Sequence, residues 1–226
     1  LGEMCCVIAG LVFMGTALPL CSAESHWVRH VIHEGEQSMT AVAGDFTGDG
    51  LPDVISDSGG MTRLFVSPDW QEIILSEHPE FKWYIHSELF DVDDDGDLDY
   101  IAARYNPGQV IWLEQPAHGL VDRWASHLID ETIQGIHGLM KGDIGNDGQW
   151  ELFATSAQPK EPYPESLVWF AVPEDPRQAG LWKPHVFADR DAPGLTHYLG
   201  VGDINGDGLL DAATGAKGGP QSASHG

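Results

Sequence analysis

The chain has 226 residues, with 35 acidic and 11 basic side chains, a formal charge of −24, 42% hydrophobic residues and 8 tryptophans. The charge excludes nucleic acid as a partner, because phosphate binding needs basic patches. The apolar share is enough for a packed core.

Met4 to Leu20 is an apolar run, and Cys21-Ser22-Ala23 offers a small-residue cleavage site before Glu24. This resembles the h-region and cut site of a secretory signal. With Gly10, Gly15 and Pro19 inside it, the run is marginal as a membrane span, and no stable span is expected. The start Leu1-Gly2-Glu3 lacks the usual basic residues, which reads as a clipped N-terminus. Lipidation at Cys21 is the alternative, weakened by Leu20 before it. Residues 1–23 are thus read as leader, and the rest as secreted, periplasmic or held at the cell surface. Cys5, Cys6 and Cys21 all fall in the leader, so the mature part has no disulfides.

Two signatures then alternate. One is Trp27-Val-Arg-His-Val-Ile-His-Glu34, echoed from Trp70 to Glu77, Trp124 to Glu131 and Trp182 to Asp189. The other is an acidic nonapeptide: Asp45 to Asp53, Asp91 to Asp99, Asp143 to Glu151 and Asp203 to Asp211. Their joint recurrence at about fifty residues marks one supersecondary unit repeated. Each unit reads as four short strands, near 39–46, 53–56, 61–66 and 71–75 in the first. The next two units place them near 83–90, 99–103, 109–114 and 124–129, and near 136–142, 151–155, 166–172 and 182–187. β-branched and aromatic residues fill these segments, glycine and proline punctuate them, and no helical period of useful length appears. The fourth unit has a second strand to about Thr214 and no third, while the Trp27 segment is an unpaired fourth strand. The fold expected is all-β: a β-propeller of four-stranded blades, present as an open arc of about three and a half blades.

In every acidic loop the first and fifth residues are Asp, the sixth is Gly and the ninth is acidic. So many anions in a core would cost solvation and repel one another. A hard cation reverses that balance, since calcium takes six to eight oxygens at about 2.3–2.6 Å and glycine allows the sharp turn. The expected ligands lie at alternate positions: Asp45, Thr47, Asp49, Leu51 and Asp53; Asp91, Asp93, Asp95, Asp97 and Asp99; Asp143, Asp147, Gln149 and Glu151; Asp203, Asn205, Asp207, Leu209 and Asp211. The second loop has five carboxylates at odd positions and should bind most tightly. The third has Gly145 at its third position, which offers no side-chain oxygen, and should bind most weakly. An EF-hand would need Glu at position twelve, where Ser56, Ala102, Ala154 and Thr214 stand.

The frame D-x-D/N-x-D-G-x-x-D between two strands resembles the FG-GAP/VCBS repeat of integrin-α-type propellers, over nearly the whole mature chain. The resemblance implies one calcium ion per loop and an extracellular glycan or protein ligand. Gly145 and Glu151 depart from the pattern.

Strand alternation puts the acidic loops at one end of each unit and the loops 57–60, 104–109, 156–166 and 215 onward at the other. His86, His137 and His197 precede the acidic loops at that second end, the last two in the same register, so they are expected to share a cavity. Arg104, Tyr105, Lys160 and Lys217 lie in the nearby loops. One reading is a non-catalytic module whose histidines fill the channel between blades. The other is a site for an acidic or polyhydroxylated ligand, with His137 or His197 as acid–base group. Gly135-Ile-His-Gly138, His197-Tyr198 and Gly215-Ala-Lys-Gly-Gly-Pro220 are similar to segments of propellers related to aldos-2-ulose dehydratase, which implies a sugar lyase or dehydratase. His30, His127 and His185 recur inside the outer-strand signature and read as packing residues.

Overall fold

The computed structural model describes residues 28–82, 84–117, 121–190 and 195–217, the last without the side chains of 195–197, 216 and 217. Leu1–Val31 and Ile32–Gly226 are separate compact units. The proposed leader lies outside the described residues, and the described residues 28–31 of the first unit carry no strand.

In the second unit, β1 (Ser38–Gly44), β2 (Asp53–Ser58), β3 (Met61–Val66) and β4 (Gln71–Glu77) form one antiparallel sheet in that order. A second sheet holds β5 (His86–Phe90), β6 (Asp99–Arg104), β7 (Gln109–Glu114) and β8 (Ala125–Asp130) in the same order. A third repeats it with β9 (Leu139–Gly142), β10 (Glu151–Ser156), β11 (Ser166–Ala171) and β12 (Pro184–Ala188). β13 (Leu195–Gly202) and β14 (Asp211–Lys217) make a two-stranded fourth. No helix occurs among the described residues, and none of them forms an apolar helix long enough to cross a membrane.

The strand sequences explain how the sheets meet. Side chains alternate between faces along a strand, and β6 is buried throughout. Its Tyr100 and Ala102 pack with Ile55, Leu64 and Leu75 of the first sheet. Its Ile101 and Ala103 pack with Leu139, Leu152 and Val168 of the third. β7 divides likewise, Ile111 and Leu113 to one side and Val110 and Trp112 to the other. The second sheet is therefore apolar on both faces, and each fully buried large side chain stabilises by about 1.5–3 kcal/mol. The first strands run side by side, β1 against β5, β5 against β9 and β9 against β13. Polar pairs join them: Thr40 Oγ1 and Ser87 Oγ are 2.6 Å apart, and Lys141 Nζ donates to the Leu89 carbonyl at 2.7 Å.

The recurring tryptophans stitch neighbours together. Trp124 N–H donates to the Leu75 carbonyl at 2.9 Å, on the outer strand of the preceding sheet, and Trp182 N–H donates to Ile129 at 2.8 Å. Both indoles are buried between the sheets they join.

Three expectations are corrected. The Trp27 segment makes no strand over residues 28–34, where no neighbouring strand pairs with it; Trp27 itself lies outside the described residues. β9 begins at Leu139 rather than 136, because the Thr155 hydroxyl accepts the N–H groups of His137 and Gly138 at 3.1 and 2.8 Å. Lys217 ends β14, paired with Leu195, rather than lying in a loop.

Candidate metal centre

Each acidic loop joins the first two strands of its sheet, and all four close through one hydrogen-bond scheme. The first Asp accepts the backbone N–H groups of the fifth and sixth residues. Asp91 takes Asp95 N–H at 3.1 Å and Gly96 N–H at 2.8 Å, and Asp45, Asp143 and Asp203 take the matching pairs at 2.8–3.1 Å. The fifth Asp accepts the N–H two residues on: Leu51, Asp97, Gln149 and Leu209 donate at 2.8–3.1 Å to Asp49, Asp95, Asp147 and Asp207. The ninth residue accepts the N–H of the second, with Phe46, Val92, Ile144 and Ile204 donating at 2.7–3.1 Å to Asp53, Asp99, Glu151 and Asp211.

Glycine at the sixth position is required by conformation rather than by room. Gly50, Gly96, Gly148 and Gly208 have φ between 86° and 96°, and a Cβ there would touch nothing within 4 Å. The fourth position is left-handed as well, at Gly48, Asp94, Asn146 and Gly206, with φ between 52° and 79°. Gly, Asp and Asn are the residues that tolerate this region. That second constraint is missed by reading the loops for ligands alone; its trace in the sequence is the restriction of the fourth position to these three types.

The second loop is the most developed. Asp91, Asp93 and Asp99 each bring one carboxylate oxygen to within 4.8 Å of the others, and no other such group of His, Cys, Asp or Glu occurs among the described residues. The Asp93 side chain is 2% exposed and its oxygens accept no hydrogen bond; its facing partner is the Arg177 guanidinium, from the β11–β12 connection. Arg177 also donates to Glu114 at 2.7 Å, and Glu114 pairs with His127 at 2.7 Å. Burial, then the charge of Asp95, pushes the Asp93 carboxyl up, with Arg177 opposing. Burial pushes Asp99 up to about 7, against the N–H bonds it accepts from Gln115 and Val92. By contrast the Gly50 and Gly208 N–H groups hold Asp45 and Asp203 below the usual carboxylate range. A partly buried, oxygen-only donor set, in which the Asp93 carboxylate meets a guanidinium but accepts no hydrogen bond, fits a hard divalent cation.

The third-position residues differ in the other loops. Thr47 Oγ1 donates to Asp45 at 3.4 Å, Asn205 Oδ1 accepts Asp207 N–H at 2.8 Å, and Gly145 has no donor atom to offer. The ninth residue has a structural duty beyond any ligand role. Asp53 and Asp99 are 0% and 1% exposed and also accept Ser67 and Gln115 N–H at 2.9 and 2.7 Å, tying the loop to the end of the third strand.

At the other end of the sheets the structure brings together some of the expected residues. The Tyr105 and His137 rings lie 4.7 Å apart. Arg104 is buried with its guanidinium 4.3 Å from both the Phe81 and Tyr84 rings, beside a cavity of about 310 Å³ that Tyr105 also lines. His86 lies 6.3 Å from Tyr198 of β13, and burial holds its ring below its ordinary pKa. Lys160 is exposed on the β10–β11 loop. The His197 and Lys217 side chains lie outside the described residues, and with them the expected His137–His197 cavity. His127 and His185 stack on Trp112 and Trp169 at 4.4 Å, as packing residues do.

One cluster has no forerunner in the sequence reading. Asp57 accepts from Thr62 Oγ1 at 3.1 Å, contacts His78 Nε2 at 2.8 Å and takes Tyr84 N–H at 2.7 Å. All three side chains of this hydroxyl–imidazole–carboxylate set are 0–6% exposed, so it ties the first sheet to the start of the second and offers no access to a substrate. His78 belongs to no repeat, so the spacing gave no sign of it.

No protein-family model and no curated protein sequence matches this chain.

Proposed function

We propose that the chain is a calcium-binding β-propeller module of the FG-GAP/VCBS type, working outside the cytoplasm and binding a glycan or an extracellular protein. The convergence of Asp91, Asp93 and Asp99, with the Asp93 oxygens accepting no hydrogen bond, carries the metal half of the reading. In a metal-free fold only the half-exposed Arg177 guanidinium offsets that buried carboxylate, and a divalent cation would offset it more fully. Side-by-side first strands and sheets stacked through both faces support the propeller. Calcium outside the cytoplasm is abundant enough to load loops of extracellular-module affinity. Equilibrium dialysis against radioactive calcium tests the metal: saturable uptake that falls when Asp91 and Asp93 are changed to Asn supports it, and background uptake at millimolar calcium overturns it.

The Tyr105–His137 contact beside Arg104 favours a second reading, a sugar lyase or dehydratase acting at the end opposite the calcium loops. Its mark is turnover of a keto-sugar that His137→Ala abolishes without lowering the melting temperature.

A further inference from the structure

The residue before each acidic loop and the eighth residue of the next loop form a recurring pair across adjacent sheets. A Cβ on Gly44 would meet Leu98 Cδ1 at 3.1 Å, and one on Gly142 would meet Leu210 Cδ1 at 2.9 Å. In both pairs the leucine folds over a glycine and is half-buried. The middle pair breaks the rule. Phe90 stands where the others have glycine, its side chain 2% exposed, and the eighth residue of the following loop, Trp150, is 45% exposed. The phenylalanine takes up the room into which the leucines fold, so the indole turns outward.

Trp150 and Phe90 line a cleft of about 720 Å³ between the second and third acidic loops. This lies within the about 300–1,000 Å³ of small-molecule sites, which pair apolar surface with a few convergent polar groups. Here the polar groups are Glu174, Gln149 and Lys141, beside carboxylates of the two flanking acidic loops.

We propose that this cleft binds a neutral carbohydrate, with the C–H face of a pyranose on Trp150 and its hydroxyls donating to the Glu174 carboxylate, which belongs to neither acidic loop. Ionised carboxylates are acceptors only and suit hydroxyl donors. A chain of charge −24 repels an anionic ligand. The positions a cationic peptide would take are held by the chain's own cations. Lys141 Nζ lies 5.2 Å from the Trp150 ring centre while bonded to the Leu89 carbonyl, and Arg177 faces Asp93. This deepens the glycan half of the proposed function and rests on it, but needs no calcium in either loop.

The test is an array of neutral hexose and N-acetylhexosamine oligosaccharides, with oligolysine as a control ligand, probed with the full chain in millimolar calcium and in EDTA. Wild type is expected to retain a neutral glycan. Trp150→Leu should weaken it about tenfold or more, the loss of one stacked ring, and Trp150→Phe about threefold or less. Both variants should keep the wild-type melting temperature, because the side chain is half in water. No retained glycan in either buffer, or equal binding by Trp150→Leu, overturns the proposal. Retention of oligolysine instead overturns it in favour of a cationic peptide. Calcium uptake by the same samples is independent of these outcomes, so a failed glycan arm leaves the metal reading standing.

Discussion

In the loop Asp91–Asp99 the third and ninth residues are Asp93 and Asp99, both with buried side chains, whereas in Asp143–Glu151 they are Gly145 and the half-buried Glu151. The backbone scheme is the same in both: the first Asp accepts two N–H groups, the fifth accepts one, and the sixth is a left-handed glycine. The turn is thus specified by the first, fourth, fifth, sixth and ninth residues. Under the proposed calcium reading, what the loop can hold is set separately, by the third residue and by how deeply the ninth is buried. A loop can keep its shape while losing its donors.

The largest contrast should come from the ninth residue. Asp99→Ala strips buried N–H groups of Val92 and Gln115 of their acceptor, which costs about 2–6 kcal/mol at about 1–3 kcal/mol each. Glu151→Ala strips the half-buried Ile144 N–H of its acceptor and should cost about 1 kcal/mol. Urea unfolding of both variants in EDTA, where no metal contributes, measures the difference. Equal losses would break the distinction.

Acidity should separate the loops next. The Asp99 carboxyl is pushed to about 7 in the fold, against an ordinary value of 3.8. The folded chain then holds a proton that the unfolded chain has released, so metal-free stability falls as pH rises from about 4 to 7 and levels off above. Burial raises Asp93 and Glu151 in the same direction. Asp45 and Asp203 are lowered, and their contribution is lost only as pH drops below about 4. Melting temperatures in EDTA across this range should show the slope, and Asp99→Asn should flatten most of it.

A smaller effect should follow from giving the third loop what it lacks. A Cβ at Gly145 would come within 3.3 Å of the Asp147 carboxyl, a flexible side chain that can yield, so Gly145→Asp is accommodated. It should raise calcium affinity at that loop about tenfold, the direction ligand charge sets in calcium loops. An unchanged affinity would show that the third position is no ligand.

Strands, their order within a unit and the acidic loops were legible in the sequence because period-two burial and turn glycines are local signals. The both-faces burial of β6 shows in the run Tyr100-Ile101-Ala102-Ala103, too apolar for a strand with one wet face. The Trp signature was legible as a repeat but not as what it does, since its N–H bonds go to the preceding sheet at Leu75 and Ile129. Arg177 reaching Asp93, and His78 reaching Asp57, were illegible for the same reason: each joins residues far apart in the chain by contacts no spacing rule encodes. Phe90 and Trp150 were visible as letters, but their effect on each other needs the neighbouring sheet.

Differential scanning calorimetry of wild type and Asp93→Asn, each in EDTA and in millimolar calcium, tests the calcium assignment most directly. A site filled at 100 times its dissociation constant adds about 2.7 kcal/mol. Wild type should melt several degrees higher in calcium, and Asp93→Asn should lose much of that gain while melting close to wild type in EDTA, since relief of a buried charge offsets loss of the Arg177 pair. The same wild-type melting temperature in both buffers would contradict calcium binding at these loops.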